Sequence, residues 1–123
     1  MAPDQVPPGM MRIQPNHRRS RAVVVNGMVH IGGQFADDHS GDIGAQTRET
    51  LAKLDALLAE CGSDRSHLVS VTIWLRDMAD FDAMNAVYDA WIDPANPPTR
   101  CCGQVRMASD AMRIELTAIA RVR

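Results

Sequence analysis

A chain of 123 residues suits one domain around a single core, and its formal charge of −2 supplies no general field that would gather nucleic acid or anionic lipid. Its three cysteines, Cys61, Cys101 and Cys102, stand in no metal-ligand spacing, which argues against a zinc framework and for reduced thiols; no metal and no cofactor is implied. Residues 1–15 lack the charged start and continuous apolar run of a leader, and no segment has the length of a membrane span, so a soluble, cytoplasmic protein is expected.

In chain order, residues 1–15 read as a flexible or loosely packed tail, with Pro3, Pro7 and Pro8 at its start. Within it, Met11–Gln14 can add a short edge strand before Pro15 stops it. The basic run His17-Arg18-Arg19-Ser20-Arg21 reads as a solvated strand entry. Arg21–Val25 and Met28–Ile31 are β-rich runs around Asn26-Gly27, the pair suited to a turn in which both central residues need positive φ, and predict a hairpin. Gly32-Gly33-Gln34 then ends the second strand, either as a bulge or as a place where another molecule approaches the backbone.

From Asp42 to Cys61, Ile43, Leu51, Leu54, Leu57, Leu58 and Cys61 recur at helical spacing with Thr47 and Thr50 on the same face. Ser40 or Asp42 can cap this helix and Gly62 ends it. Leu68–Leu75 alternates as a central strand, with Val69, Val71, Ile73 and Leu75 on one face. Asp80 is placed to cap a second helix, whose apolar stripe is Phe81, Met84, Val87, Tyr88 and Trp91. A strand is expected over Thr99–Met107, a turn at Ser109-Asp110, and a last alternating strand over Arg113–Val122.

Between the second helix and the fifth strand lies Asp93-Pro94-Ala95-Asn96-Pro97-Pro98. Proline and asparagine make this a stiff, non-helical loop that delivers Arg100 at the start of a strand. An arginine there is always charged and presents a planar fork that grips a carboxylate in two parallel hydrogen bonds. The ordinary alternative is a solvated surface arginine.

These elements make an α+β two-layer sandwich, a mixed sheet with two helices on one face. The opposite face would carry Trp74, Ile119 and small uncharged side chains. With no spare element to cover it, a second copy of the chain is the economical cover, so a homo-oligomer is expected.

An ordered set of pieces, Val23-Val24-Val25-Asn26-Gly27, Gly33-Gln34, Gly44-Ala45-Gln46-Thr47-Arg48, Thr72-Ile73-Trp74-Leu75, Met84-Asn85-Ala86-Val87-Tyr88, Arg100-Cys101-Cys102 and Ala118-Ile119-Ala120, resembles the RidA (YjgF) family, also labelled endoribonuclease L-PSP. The match runs from about Arg19 to the C-terminus. The resemblance implies a chorismate-mutase-like fold, a homotrimer with ligand clefts between subunits, and hydrolysis of reactive 2-imino or enamino acids to 2-oxo acids and ammonia. Carried over by position, it assigns the substrate carboxylate to Arg100, a backbone contact to Gly33, a pocket asparagine to Asn85 and the cleft cysteine to Cys102.

Two departures suggest a divergent branch. The family's water-orienting glutamate in the last strand aligns with Thr117, although Glu115 shares that face and can reach the cleft from one pleat away. The family's tyrosine near the hairpin is replaced by Arg19, a second cation at the cleft. A non-catalytic module that binds small carboxylates through Arg100 is therefore an alternative. A ribonuclease is disfavoured by the acidic balance and by the absence of a histidine pair placed for phosphodiester cleavage. His17, His30, His39 and His67 show no ligand spacing.

Overall fold

The computed structural model describes residues 9–123. The sequence-based expectation of a loose tail over Met1–Pro8 lies outside them. Ten elements follow in order, of which six strands form one mixed sheet: β1 (Met10–Ile13), β2 (Ala22–Val25), β3 (Met28–Gln34), β4 (Leu68–Leu75), β5 (Thr99–Gln104) and β6 (Ile114–Arg121). Helices α1 (Ile43–Glu60) and α2 (Phe81–Trp91) pack on one face, with single 3-10 turns at Arg65–His67 and Met78–Asp80. The α+β two-layer architecture is the one expected.

The sheet order is β1-β2-β3-β6-β4-β5. All neighbours are antiparallel except β4 and β5, which run parallel because α2 carries the chain back between them. Strand β6, last in sequence, inserts between β3 and β4 and closes the centre of the sheet. Its alternation buries Ile114, Leu116, Ala118 and Ala120 under the helices and leaves Glu115, Thr117 and Ile119 half-buried on the opposite face.

The hairpin forms as the sequence dictates: Asn26 and Gly27 take φ of 50° and 76°, the left-handed pair of a type I′ turn. Asp42, not Ser40, caps α1, its carboxylate accepting from the Ala45 N–H at 2.9 Å. Thr47 and Thr50 are buried with their hydroxyls satisfied, each donating to the carbonyl one turn back, that of Ile43 and of Gln46.

Several boundaries differ from the expectation. Met10–Ile13 pairs with β2 and Ile13 is buried, so the loose tail of residues 1–15 does not extend over this segment; the short edge strand does form. Strand β3 continues through both glycines to Gln34, with the expected bulge inside it between Ile31 and Gln34. Val69 leaves the face it was expected to share, because a bulge between Leu68 and Ser70 turns its side chain outward, 43% exposed. Asp80 makes no cap bond; Asp77 caps the preceding 3-10 turn, and Asp80 receives both Arg113 Nε and Nη2 at 3.2 Å. Strand β5 ends at Gln104 rather than Met107.

No helix among the described residues is long and apolar enough to cross a membrane, and no group of three or more His, Cys, Asp or Glu among them could hold a metal ion.

Candidate active site

The loop before Arg100 is fixed by one carboxylate. Asp93 accepts from the Ala95 N–H at 3.0 Å and from Asn96 Nδ2 at 2.9 Å, and its Oδ2 also accepts from Ser66 Oγ at 2.7 Å. These donors hold the Asp93 carboxyl below the usual carboxylate range, the Asn96 side chain first among them. Proline stiffness is thus supplemented by a clamp tying the loop to the 3-10 turn before β4.

Arg100 lies in register with Val71, which places it on the helix side of the edge strand β5. Its Nη1 donates to Asn85 Oδ1 at 2.6 Å, and its guanidinium carbon stands 4.9 Å from the centroid of the Tyr88 ring and 5.8 Å from that of Phe81. Phe81, Asn85 and Tyr88 are spaced by four and three residues on α2, so one helix face supplies all three contacts. The guanidinium is oriented by a hydrogen bond and an aromatic face, and makes no ion pair among the described residues. It borders a surface cavity of about 330 Å³ lined also by Asp89, Ile92, Pro97 and Pro98.

Cys101 and Cys102 point to opposite faces and are free thiols, as the strand alternation requires. Cys101 is exposed opposite Thr72, and Cys102 is half-buried opposite Ile73. Burial pushes the Cys102 thiol up, against a smaller downward pull from the Arg100 charge, so it stays protonated near neutral pH and offers no thiolate nucleophile. Burial likewise raises the Tyr88 phenol, with Arg100 opposing.

A second group of candidate residues gathers elsewhere. Gly33 sits in the β3 bulge, where the Glu115 carboxylate occupies the space a β-carbon would need. Glu115 makes no hydrogen bond or ion pair among the described residues. Thr117 stands two residues along the same face of β6, directly opposite Thr72. Arg19 is exposed just before β2 and joins Gly32 and Gly33 around a small, partly open cavity of about 90 Å³ that also meets Ser20, Arg21, Gln34, Phe35, Asp37 and Lys53.

The chain therefore brings Arg100 and Asn85 together, with Cys102 near their edge, and brings Arg19 and Gly33 together, but keeps the two groups apart. Strands β6 and β4 lie between β3 and β5, about 14 Å across the sheet at the usual strand spacing. Sequence reading did not single out the Tyr88 and Phe81 rings as partners of Arg100, having assigned them to the apolar stripe. Their spacing around Asn85 was the available signal. Arg21, Asp37 and Lys53 had none, because only the folding of β2, β3 and α1 onto one another makes them neighbours.

A sequence model described as endoribonuclease L-PSP matches residues 10–122. A RutC family protein of Haemophilus ducreyi is 32% identical over 111 residues, covering 90% of this chain and 95% of that protein. A protein of Acinetobacter baylyi named 3-aminoacrylate deaminase RutC is 31% identical over 120 residues, covering 98% and 94%. Among solved structures, a YjgF-family protein from Neisseria meningitidis superposes with a TM-score of 0.90 at 36% identity, covering 93% of this chain and 95% of that one. A Pseudomonas aeruginosa protein superposes with the same TM-score at 37% identity, covering 93% and 99%. Over residues 10–122, nearly its whole length, this chain belongs to the RidA/YjgF family, the family of the endoribonuclease L-PSP sequence model.

Proposed function

We propose that the protein hydrolyses reactive 2-imino or enamino acids to 2-oxo acids and ammonia in a site shared by two copies of the chain. The observation that carries this reading is Arg100: a guanidinium oriented by Asn85 and Tyr88, without a carboxylate partner among the described residues, at the rim of an open cavity. Such a group receives a substrate carboxylate in a fixed direction. The separation of Arg100 from Gly33 and Glu115 within one chain supports a cleft in which one copy supplies the arginine and its neighbour supplies the bulge, in the homotrimer the family resemblance implies. The sheet face bearing Trp74, Thr72, Thr117 and Ile119 provides the surface for that packing.

In this mechanism Arg100 pins the carboxylate and leaves the imine carbon facing a water molecule held near the Gly33 backbone. Glu115, rather than Thr117, is the carboxylate that takes a proton from that water as its oxygen bonds to carbon. Glu115 passes that proton to nitrogen; as the C–N bond breaks and ammonia leaves, Glu115 takes the hydroxyl proton, the carbonyl forms, and the proton is released to ammonia, giving ammonium. A protonated imine is already electrophilic, so orientation and prepared dipoles supply most of the assistance. Thr117 lines the cleft without ionising, and the protonated Cys102 thiol serves as wall.

The test couples an amino-acid oxidase, which generates 2-imino acids in place, to the purified protein, with semicarbazide trapping the imine that remains. Wild type suppresses semicarbazone formation and Arg100→Ala does not. Carboxylate binding that depends on Arg100 without any turnover would replace the enzyme by a binding module, the reading that the loss of a carboxylate at position 117 favours.

A further inference from the structure

Among the side chains that line it, the cavity beside Gly33 carries more positive than negative charge, while the carboxylates of Glu115, against Gly33, and of Glu49, which accepts from the Asp37 N–H, lie next to the lining. It is lined by three cations and one carboxylate. Lys53 donates to Asp37 at 2.6 Å and lies 5.6 Å from the centroid of the Phe35 ring, so these two charges satisfy each other. The Lys53 hydrogen bond, with a smaller pull from the Arg21 charge, also holds the Asp37 carboxyl below its ordinary value. The side chains of Arg19 and Arg21 make no hydrogen bond or ion pair among the described residues, and both border the same space.

The backbone presenting these arginines is held in place. Asn16 Oδ1 accepts from the Arg18 and Arg19 N–H groups, each at 2.8 Å, and the Asn16 N–H donates to the Arg19 carbonyl at 2.8 Å. On the other side, Arg21 is tied into the sheet by its N–H to Ile13 O at 3.0 Å and by its carbonyl, which accepts from the Gly32 N–H at 2.9 Å. Arg19 and Arg21 thus border one small hollow from a fixed turn and a strand end.

The hollow is small, about 90 Å³, and has room for a carboxylate. Guanidinium forks match that group in geometry and sign.

We infer that the substrate is a dicarboxylate, an imine or enamine of an acidic amino acid, whose second carboxylate enters the cavity formed by Arg19, Arg21 and Gly33. This deepens the deaminase reading and rests on it for the reacting end of the molecule. Arg100 of one copy takes the carboxylate beside the imine carbon, and Arg19 and Arg21 of the neighbouring copy take the distal one. Glu115 contacts Gly33 but is not among the residues that line this cavity.

Two stable 2-oxo acids of equal chain length, 2-oxoglutarate and 2-oxopentanoate, separate the inference from the reaction. Their binding to the full-length protein is measured by calorimetry at two salt concentrations, and the corresponding imines are assayed for turnover. The dicarboxylate should bind about 10- to 100-fold more tightly, the range of one or two charge-assisted contacts, with the ratio shrinking at higher salt. In Arg19→Gln/Arg21→Gln the ratio should fall to within about twofold of one, and Arg21→Lys should retain part of it. Equal binding of the two acids by wild type, or a preference that survives in the double variant, overturns the subsite. Selective binding without hydrolysis of either imine keeps the subsite and removes the deaminase, whereas hydrolysis of both imines without selectivity does the reverse.

Discussion

The Glu115 carboxylate rests on Gly33 across the β3–β6 boundary, filling the place where any other residue would carry a β-carbon. A β-carbon at position 33 would therefore have to displace a side chain that arrives from another strand. Gly33 has no positive φ, so the restriction is steric and local.

Gly33→Ala should displace the carboxylate while leaving the fold intact, because the obstructing atoms are the far end of a flexible side chain. Stability should fall by about 1 kcal/mol or less, read by urea denaturation. Imine hydrolysis should fall about 10- to 100-fold, in line with the loss of a positioned acid–base group. Glu115→Gln should match that loss with no change in stability. Full activity in Glu115→Gln would assign the proton transfers to another group.

Arg100 offers a graded series. Arg100→Ala should lower kcat/KM by about 100-fold, the value of a desolvated charge-assisted pair. Asn85→Ala keeps the charge and frees its orientation, so a rise in KM of about 5- to 10-fold is expected with a smaller change in kcat. If Asn85→Ala costs as much as Arg100→Ala, the asparagine touches substrate itself.

Arg113 and Asp80 join the start of β6 to the start of α2. The Asp80 side chain is 12% exposed and that of Arg113 40%, so removing the arginine strands a mostly buried carboxylate at one end only. Arg113→Ala should cost about 1–3 kcal/mol, between the values for exposed and buried pairs. Thermal or urea unfolding measures it, and the double variant with Asp80→Ala should recover part of the loss.

Gln46 is 1% exposed and ties two loops to α1: its Nε2 shares its two hydrogens among the carbonyls of His39, Gly41 and Ala111, and its Oε1 accepts from the Arg113 N–H at 2.9 Å. Gln46→Leu preserves bulk but leaves those backbone groups unpaired, so a loss of about 3 kcal/mol is expected from denaturant midpoints.

Asp93 links pH to the Arg100 loop. Its folded pKa lies below the ordinary 3.8, so its stabilising contribution is complete above that value and is lost as pH falls through the lower, folded pKa. Wild type should therefore lose stability below about pH 4 more steeply than Asp93→Asn, measured as denaturant midpoint against pH. Near neutral pH, Asp93→Ala should raise KM by releasing the loop before Arg100. Parallel acid curves for wild type and Asp93→Asn would remove Asp93 from this account.

The amino-acid pattern by itself determined the elements whose information is local. The 3.6-residue spacing from Ile43 to Leu58, the alternation from Ile114 to Ala120 and the Asn26-Gly27 turn each name a structure without reference to distant residues. Arg100 was legible for the same reason, since the prolines before it lie in the adjoining sequence, and its place in the ordered family pattern reinforced that reading. What only the tertiary structure decided involves groups far apart in the chain. The bulge that turns Val69 outward exists because β6 fixes the register of β4, and Asp80 gives up capping because Arg113 arrives beside it from another strand. The cavity of Arg19, Arg21 and Lys53 and the contact of Glu115 with Gly33 belong to the same class. Periodicity tells which face of its own element a side chain occupies, whereas the partner it meets there depends on register and packing between elements, which no local spacing encodes.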